Sequence, residues 1–479
     1  MPKVGLVSLG CPKNQVDSEV MLGLLARAGH ELVTDAASAE VIVVNTCSFI
    51  GPAKQESIDC ILEMGERKKG GSVKRLVVAG CMVERYRRQI LEQMPEVDCV
   101  IGTNEVERIV EACGPSVSER EFSPVREPYL YHDATPRVLS TPSHTAYIKI
   151  AEGCDHTCAF CVIPQMRGRF RSRRFESVVR EAEKLIAGGA RELVLVGQDN
   201  TSYGDDLGLR DGLALLLREL DQIPGLVWLR FLYCYPNRVT DALIQAVAES
   251  PRVAKYFDIP LQHASGGILK AMRRGSNGLQ FLKLIGKIRA AIPGVTLRTS
   301  FITGFPGETE GDFTALTDFL AAAEFDHAGV FRYSNEESSA SYELPRQVAP
   351  RESYNRRRRI LALQRRISRR KLKGLVGKRL PVLVEGRARE TDLLFRGRAE
   401  SQAPEIDGQI YISDFVGSEP CEGEYRWATI TDSGDYDLVG RLEAEYFVPR
   451  RAAAEFSLPR LVHIQLPGLA TPGRAALEA

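Results

Sequence analysis

Three cysteines within eight residues constrain this chain more than any other feature of its sequence. They lie in the run Gly153-Cys154-Asp155-His156-Thr157-Cys158-Ala159-Phe160-Cys161, which has the spacing C-x3-C-x2-C. Because four thiolates close a [4Fe–4S] cluster, a set of three leaves one iron free to bind a small molecule. An open coordination position separates a catalytic metal site from a structural one. The spacing therefore predicts an open [4Fe–4S] cluster on Cys154, Cys158 and Cys161, which we call the central triplet.

The alternative for the central triplet is half of a zinc site. A structural zinc ion needs a fourth ligand close by. His156 lies inside the triplet, where reaching the same metal would strain the loop. The sequence therefore favours the iron–sulfur interpretation.

The rest of the composition bears on the compartment in which such a cluster would be stable. The chain has 479 residues, a formal net charge of +1 and eleven cysteines. It has no run of about eighteen apolar residues, so we expect no membrane span. Its N-terminus enters a strand-like stretch without the apolar region and cleavage site of a signal peptide. Cysteines in such a chain indicate metal or redox chemistry before disulfides, and we expect the protein in the cytoplasm.

Residues 1–113 read as a domain in which strands and helices alternate. The predicted strands are 4–9, 41–44 and 76–79, and the predicted helices are 15–28, 54–69 and 85–94. Such alternation predicts a parallel sheet with helices on its faces.

A cysteine follows each of these three strands, and we call Cys11, Cys47 and Cys81 the N-terminal triplet. The carboxyl ends of parallel strands share one edge of the sheet, which is where such sheets bind ligands. The three thiols are therefore expected to converge. The alternative is three unrelated buried cysteines, since free cysteine is often found in cores. Their shared position after a strand favours convergence, and we interpret the remaining cysteines as structural.

The two triplets together resemble a known family. The central triplet, with Phe160 before its last cysteine, is similar to the signature of the radical S-adenosylmethionine (SAM) enzymes. A three-cysteine α/β domain ahead of it resembles the methylthiotransferases of that superfamily. The resemblance implies a [4Fe–4S] cluster on each triplet, SAM chelated by the open iron of the central one, and Phe160 near the adenine. It also implies a reducing electron donor.

Shorter runs resemble one branch of that family. The run Cys11-Pro12-Lys13-Asn14 is similar to the branch that modifies a ribosomal protein, whereas the branch that modifies transfer RNA typically reads Gly-Cys-Gln-Met-Asn there. Phe170 stands where the transfer-RNA branch tends to place a glutamate. The run from Ala403 to Gly408 also resembles the ribosomal-protein branch.

Residues 114–143 read as a linker, and residues 144–350 repeat strand then helix. The predicted strands are 144–151, 192–196, 227–233, 256–261, 296–303 and 329–333. Six parallel strands indicate an open, partial TIM-like (βα)6 barrel, with functional groups at the carboxyl ends of its strands. The family resemblance places SAM and substrate contacts among them, and Gln198, Gln262 and Ser300 are candidates. Each is as compatible with a purely structural hydrogen bond.

The C-terminal third of the sequence has a different residue pattern. Residues 351–377 form a basic, amphipathic connecting helix, which fits either nucleic acid or, as we favour, a connector that packs on the barrel. Residues 378–443 alternate in short runs, which predicts a small β-barrel resembling the TRAM domain. That stretch carries 8 Lys or Arg against 14 Asp or Glu, a net charge of −6, which repels phosphate and suits a basic protein partner. Residues 444–479 are expected to be a disordered tail.

The resemblance therefore implies an α/β methylthiotransferase that acts on an aspartate of small-subunit ribosomal protein twelve, free or on the ribosome. The resemblance implies that one SAM methylates sulfur held at the N-terminal cluster. A second SAM, cleaved at the central cluster, gives a 5′-deoxyadenosyl radical that removes hydrogen from the aspartate β-carbon. That carbon then takes up the methylthio group. No side chain is assigned as a general acid or base.

Two alternatives stay open at this point. The nearer is the same chemistry on an adenosine of transfer RNA, which the basic helix favours and the acidic barrel and the run at Cys11 oppose. The farther is a non-catalytic RNA-binding protein whose cysteines hold structural metal, which two open three-cysteine sets oppose.

Overall fold

The computed structural model describes residues 2–114, 120–122 and 129–448. An α/β unit comes first, an arc of parallel strands follows, and a closed barrel ends the described chain. Within these ranges no helix is both long enough and apolar enough to cross a lipid bilayer. Nearly all of the predicted tail, residues 449–479, lies outside the described residues.

The N-terminal unit is a five-stranded parallel sheet in the order β2-β1-β3-β4-β5. Its elements are β1 (Lys3–Ser8), α1 (Pro12–Arg27), β2 (Glu31–Leu32), β3 (Val41–Thr46), α2 (Gly51–Lys69), β4 (Arg75–Gly80), α3 (Cys81–Gln93), β5 (Cys99–Ile101) and α4 (Ile109–Cys113). Every residue of β3 is buried, as expected for a central strand covered on both faces. The three predicted strands are present, whereas β2 and β5 are too short to leave an apolar run in the sequence.

The central unit carries the six predicted strands as two parallel sheets of three, in the orders β10-β9-β6 and β11-β12-β13. Its elements are β6 (Thr145–Lys149), β7 (Ala151–Glu152), α5 (Ile163–Arg167), β8 (Arg171–Ser172), α6 (Phe175–Ala187), β9 (Glu192–Val196), α7 (Gly212–Leu220), β10 (Trp228–Phe231), α8 (Asp241–Glu249), β11 (Tyr256–Asp258), α9 (Gly266–Ala271), α10 (Gly278–Ala291), β12 (Thr296–Thr303), α11 (Glu310–Ala323) and β13 (His327–Arg332). The amide of Cys234 donates to the carbonyl of Asp258 at 2.9 Å, which joins the two sheets into one arc.

The last part of the described chain is a long helix followed by a five-stranded barrel in the order β14-β15-β16-β18-β17. The elements are α12 (Pro350–Lys373), β14 (Arg379–Arg387), β15 (Phe395–Ala399), β16 (Ile410–Phe415), β17 (Tyr425–Ser433) and β18 (Leu438–Tyr446). Strand β18 continues to Tyr446, so the barrel ends three residues after the predicted boundary at 443.

The basic helix α12 is a connector. Its apolar side chains Ile360 and Ile367 are buried in the core of the arc. On its polar side Arg369 pairs with Asp435 of the barrel at 2.5 Å, and Arg370 pairs with Glu324 of the arc at 2.6 Å. Charge that looks available for nucleic acid in the sequence is thus partly neutralised within the protein.

Other parts of the chain pack into the interior of the arc at both ends of its strands. At the carboxyl ends of its strands, helix α1 packs against it, and Val16 and Val20 share a core with Val194 of β9. At the amino ends, the loop between β15 and β16 inserts, and Ala403 joins the same core. The inner surface of the arc is therefore shared by three units of the chain.

Residues 129–143 of the predicted linker contain no helix or strand, yet they pack closely. The Tyr131 side chain is buried. The Arg137 guanidinium lies within 2.5 Å of Glu19 on α1 and 2.8 Å of Glu181 on α6. This segment therefore fastens the N-terminal unit to the arc.

Candidate functional site

The N-terminal triplet lies along one edge of the first sheet. Strands β1, β3 and β4 run in register, with Ser8 opposite Asn45 and Thr46 opposite Gly80. Cys47 and Cys81 directly follow β3 and β4, and Cys11 follows β1 after a two-residue turn. The sheet therefore carries all three thiols at the carboxyl ends of neighbouring strands, as the strand–cysteine pattern predicts.

Two glycines allow the strand ends to approach one another. Gly10 and Gly80, each directly before a cysteine, have φ of +93° and +96°, which other residues rarely adopt. A Cβ built at Gly10 would lie 2.7 Å from the Cys47 Cβ and 3.1 Å from its Sγ. A side chain at this position would therefore fill the space beside the thiols.

The donor chemistry of the N-terminal triplet fits iron. Burial raises the pKa of the Cys81 thiol to about 12, and burial also raises the pKa of the Cys47 thiol. Such thiols stay neutral near pH 7 unless a positive charge stabilises the thiolate, as a coordinated metal does. The guanidinium Nε of Arg167 lies 3.3 Å from the Cys81 Sγ. Three thiols at one edge of the sheet, beside one fixed cation, therefore suit an iron–sulfur cluster.

The central triplet lies in the loop after β7. Gly153 has a φ of +79°, and a Cβ there would lie 2.1 Å from the carbonyl oxygen of Arg169, so only glycine fits. The Cys154 amide donates to the Gly168 carbonyl at 3.1 Å, and the Cys161 amide donates to the Cys158 carbonyl at 3.1 Å. Burial raises the pKa of the Cys154 thiol to about 11 and that of Cys161 to about 12. These two thiols therefore stay neutral near pH 7 unless a nearby positive charge, such as a coordinated metal, stabilises the thiolate.

The surroundings of the central triplet do not fit zinc. His156 Nε2 lies 2.6 Å from Asp199 Oδ2, and its ring stacks on Tyr235 with centroids 3.7 Å apart. In the described ranges no three His, Cys, Asp or Glu side chains stand close enough to hold a single metal ion. A cubane cluster binds each cysteine to a different iron, so its ligands stand farther apart than those of one ion. His156, the candidate for a fourth zinc ligand in the sequence, is thus engaged by Asp199 and Tyr235.

Two of the predicted SAM contacts lie together on one side of the arc. Ser300 is half-buried on β12, and its carbonyl accepts from the Gln262 amide at 2.8 Å. Gln262 has a φ of +73°, a strained value for a residue other than glycine. Its carbonyl in turn accepts from the Ile302 amide at 2.7 Å. The backbone geometry thus holds both residues beside the carboxyl end of β12.

The other two predicted contacts lie nearer the central triplet. Phe160, within its loop, packs against Phe305 and Met272. Gln198 follows β9 and donates through Nε2 to Glu152 at 2.7 Å. Its Oε1 is buried and has no hydrogen-bond partner among the described residues. The Oε1 atom of Gln198 can therefore accept a hydrogen bond from a bound molecule.

A buried ion cluster between the two triplets was not predicted. It consists of Asp17 on α1, Lys149 on β6, Glu152 on β7 and Arg167 on α5, and each side chain is at least nine-tenths buried. Arg167 lies 2.5 Å from Asp17 and 3.3 Å from Glu152, while Lys149 pairs with both acids. Burial alone would raise the pKa of the Glu152 carboxyl, but Lys149 and Arg167 lower it to about 2. We call these four residues the interface ion cluster.

Lys13 is a further buried cation. In the sequence it stands out only as part of the run Cys11-Pro12-Lys13-Asn14, which resembles the ribosomal-protein branch. Its side chain packs over the Tyr233 ring, with Nζ 3.4 Å from the ring centroid. Tyr233 follows β10, more than two hundred positions along the chain, and no local pattern relates the two residues.

Comparison with known proteins places each unit in a family. Residues 3–102 match an uncharacterized protein family, UPF0004, residues 148–320 match the radical SAM superfamily, and residues 376–442 match the TRAM domain. The solved structure of the radical SAM methyltransferase TsrM from Kitasatospora setae covers 69% of this chain and 73% of its own, with a TM-score of 0.50 and 17% identity. At that identity the likeness concerns the fold alone.

Curated relatives match nearly the whole chain. A protein of Solibacter usitatus named ribosomal protein uS12 methylthiotransferase RimO is 60% identical over 445 residues, which cover 92% of this chain and 95% of that one. The protein of the same name from Koribacter versatilis is 51% identical and covers 92% and 96% of the two chains.

Proposed function

Because this chain belongs to the family of ribosomal protein uS12 methylthiotransferases, we propose that it adds a methylthio group to the β-carbon of an aspartate in uS12. It is a radical SAM enzyme of the transferase class. The observation that best supports the two-site chemistry is the pair of cysteine triplets at the carboxyl ends of strands in two adjoining units. The interface ion cluster joins those two units.

We assign the N-terminal and central triplets as the ligands of two [4Fe–4S] clusters. When bound, the clusters supply the electron that cleaves SAM and hold the sulfur that is transferred. The protein contributes thiols fixed by the sheet edge and by the loop after β7. Glycines at 10, 80 and 153 leave room beside them. The interface ion cluster between the two units is at least nine-tenths buried, so water is largely excluded from that contact.

SAM contacts are proposed at four residues. Phe160 would flank the adenine, and the unpartnered Oε1 of Gln198 would accept from a donor of SAM. Gln262 and Ser300 would line the opposite side of the arc. These assignments rest on position near the strand carboxyl ends.

The same proposal covers the partners and the compartment. The reaction needs an external electron donor, and the substrate is uS12, free or within the ribosome. All eleven cysteines are unpaired, and an exposed cluster favours reducing conditions, so we propose the cytoplasm as its compartment.

Two earlier alternatives lose support. Relatives at 46–60% identity over nearly the whole chain carry the uS12 name, which favours the ribosomal-protein substrate over transfer RNA. The non-catalytic interpretation is wrong, because the chain belongs to a family of enzymes.

The first prediction concerns iron and SAM cleavage. Replacing the three central cysteines by Ala should remove about half the iron of anaerobically reconstituted protein and abolish 5′-deoxyadenosine formation. Replacing the N-terminal triplet should remove the other half and leave some SAM cleavage, because the SAM-binding iron stays in place. Iron analysis and chromatography of the nucleoside products measure both effects.

Mass spectrometry of uS12 after the anaerobic reaction tests the substrate. One hydrogen of one aspartate should be replaced by a methylthio group with wild-type protein and with neither triple variant. An N-terminal variant that kept all its iron would contradict the ligand assignment, and methylthiolation of transfer RNA alone would contradict the substrate.

A further inference from the structure

Lys13 is a buried cation without a carboxylate partner. Its side chain keeps only 8% of its surface exposed. Within the described ranges no Asp or Glu lies at ion-pair distance from its Nζ, whose close neighbour is the Tyr233 ring at 3.4 Å. A buried charge without a carboxylate is destabilising, and Tyr233 and the Cys11 thiol are the groups that remain to compensate it.

Its neighbours show that this part of the protein does pair its buried charges. Arg167 and Lys149 are comparably buried, and both contact Asp17 and Glu152. Asn14, next to Lys13 in the chain, accepts from Arg167 at 3.0 Å. Two of the three buried cations, Arg167 and Lys149, therefore share the two carboxylates, and Lys13 pairs with neither.

Lys13 also stands near residues of both triplets. It stands two residues after Cys11 and contacts the Tyr233 ring. Two residues further along, the Tyr235 ring stacks on His156 within the central triplet. These contacts relate Lys13 to the loop of the central triplet, and its position in the chain relates it to the N-terminal triplet.

The Tyr233 ring is held in place by its backbone. Tyr233 has a φ of +60°, a strained conformation for a bulky residue. Its amide donates to Asp258 Oδ2 at 3.0 Å, and its carbonyl accepts from the Asn200 amide at 3.0 Å. Backbone strain that neighbouring hydrogen bonds maintain is typical of functional sites, where a side chain must keep one orientation.

We propose that Lys13, backed by Tyr233, binds the side-chain carboxylate of the substrate aspartate. This inference rests on the proposed function, because that function supplies the aspartate. An ammonium facing a carboxylate makes a charge-assisted hydrogen bond, which is stronger than a neutral one. The β-carbon is bonded to the carboxyl carbon, so fixing the carboxylate also fixes the carbon that reacts. Lys13 thereby selects aspartate over asparagine.

The test measures peptide binding to reconstituted holoenzyme with SAM present. A fluorescent peptide of the uS12 loop carries either its aspartate or an asparagine in that position. Wild-type protein should bind the aspartate peptide about ten- to a hundredfold more tightly, the worth of a charged hydrogen bond. Lys13→Met, which keeps length and packing, should abolish the preference by weakening the aspartate peptide alone. Lys13→Arg should restore part of it.

Several outcomes would overturn the proposal. Wild-type protein that binds both peptides equally refutes it without any variant, so misfolding of Lys13→Met does not protect it. A Lys13→Met protein that loses iron or changes its electron paramagnetic resonance spectrum, yet keeps the preference, would mean that Lys13 serves the cluster instead. Failure of wild-type protein to modify uS12 at all would refute the proposed function and is read separately, by mass spectrometry.

Discussion

Arg167 occupies the point where the N-terminal unit and the arc meet. Its guanidinium contacts Asp17 and Asn14 of α1, Glu152 of β7 and the Sγ of Cys81. It compensates two buried carboxylates and points one nitrogen at a thiol of the N-terminal triplet. A guanidinium suits this role because its planar fork serves several acceptors at once.

Removing Arg167 should therefore destabilise the contact between the two units. Arg167→Met leaves Asp17 and Glu152 with Lys149 as their remaining cation, and breaking a buried pair is destabilising by about 3–5 kcal/mol. Its urea unfolding midpoint should fall well below that of wild type. Arg169→Met is the matched control, because the Arg169 side chain is 93% exposed, and its midpoint should stay unchanged. Equal midpoints for the two variants would contradict the importance of the interface ion cluster.

Sequence analysis identified the cysteines but not the charges around them, for a physical reason. The spacing of the central triplet is local, and the N-terminal triplet could be inferred from strand ends that share an edge. Arg167 and Asp17 are 150 positions apart, and their pairing depends on how two units dock. No periodicity or spacing encodes such a contact.

At the level of elements, strands were predictable where an apolar run was long enough. Strands β9 and β12 match their predicted bounds, and β3 extends its prediction by two residues. Strand β18 alternates the buried Leu438 and Leu442 with the exposed Arg441 and Glu445, which is the pattern of a half-buried strand. Its parallel pairing with β16 depends on barrel closure rather than on any turn.

A buried salt bridge connects the start of β9 to the barrel. Glu192, the first residue of β9, pairs with Arg398 of β15 at 2.6 Å and with Arg230 of β10 at 3.3 Å, and it is completely buried. Burial alone would raise the pKa of this carboxyl, but Arg398 and Arg230 lower it to about 2. Protonation of Glu192 should therefore weaken the contact between β9 and the barrel.

The ion pairs of Glu192 predict that the free energy of unfolding depends on pH. The pKa of Glu192 is about 4.3 in an unfolded chain and lower when folded, so its stabilisation is complete above about pH 4.3 and disappears as pH falls toward 2. At neutral pH it is worth about 3 kcal/mol. Glu192→Gln should lower the urea midpoint at pH 7, and the difference from wild type should shrink between pH 4.3 and 2. A difference that stays constant with pH would contradict the pairing.

For the whole molecule, the surface charge of the barrel bears on how it meets its substrate. Many of its acids serve internal pairs, such as Glu424 beside the buried Arg426. Others, including Glu390, Asp392 and Asp432, are exposed. Only exposed acids act on a partner at a distance, and they act mainly on encounter rate and selectivity.

Reversing these three exposed acids to Lys should therefore weaken uS12 binding, most strongly at low salt where screening is least. SAM cleavage should remain, since the barrel meets the arc at the end opposite the triplets. The matched control reverses three exposed acids of the arc, Glu183, Asp318 and Glu343. Association rates measured at several salt concentrations test this prediction, and an equal loss in both triple variants would contradict a role specific to the barrel.

The loop between β15 and β16 has a consequence for how the chain is made. It closes the amino ends of the arc through Ala403 and through Asp407, which accepts from the Tyr256 hydroxyl at 2.6 Å. During synthesis the ribosome delivers all six arc strands before it delivers this loop. The apolar interior around Tyr256 therefore stays open to water and to chaperones until translation has passed residue 407. A chain that ends before residue 407 therefore leaves this apolar interior exposed, and exposed apolar surface makes incomplete chains prone to aggregation.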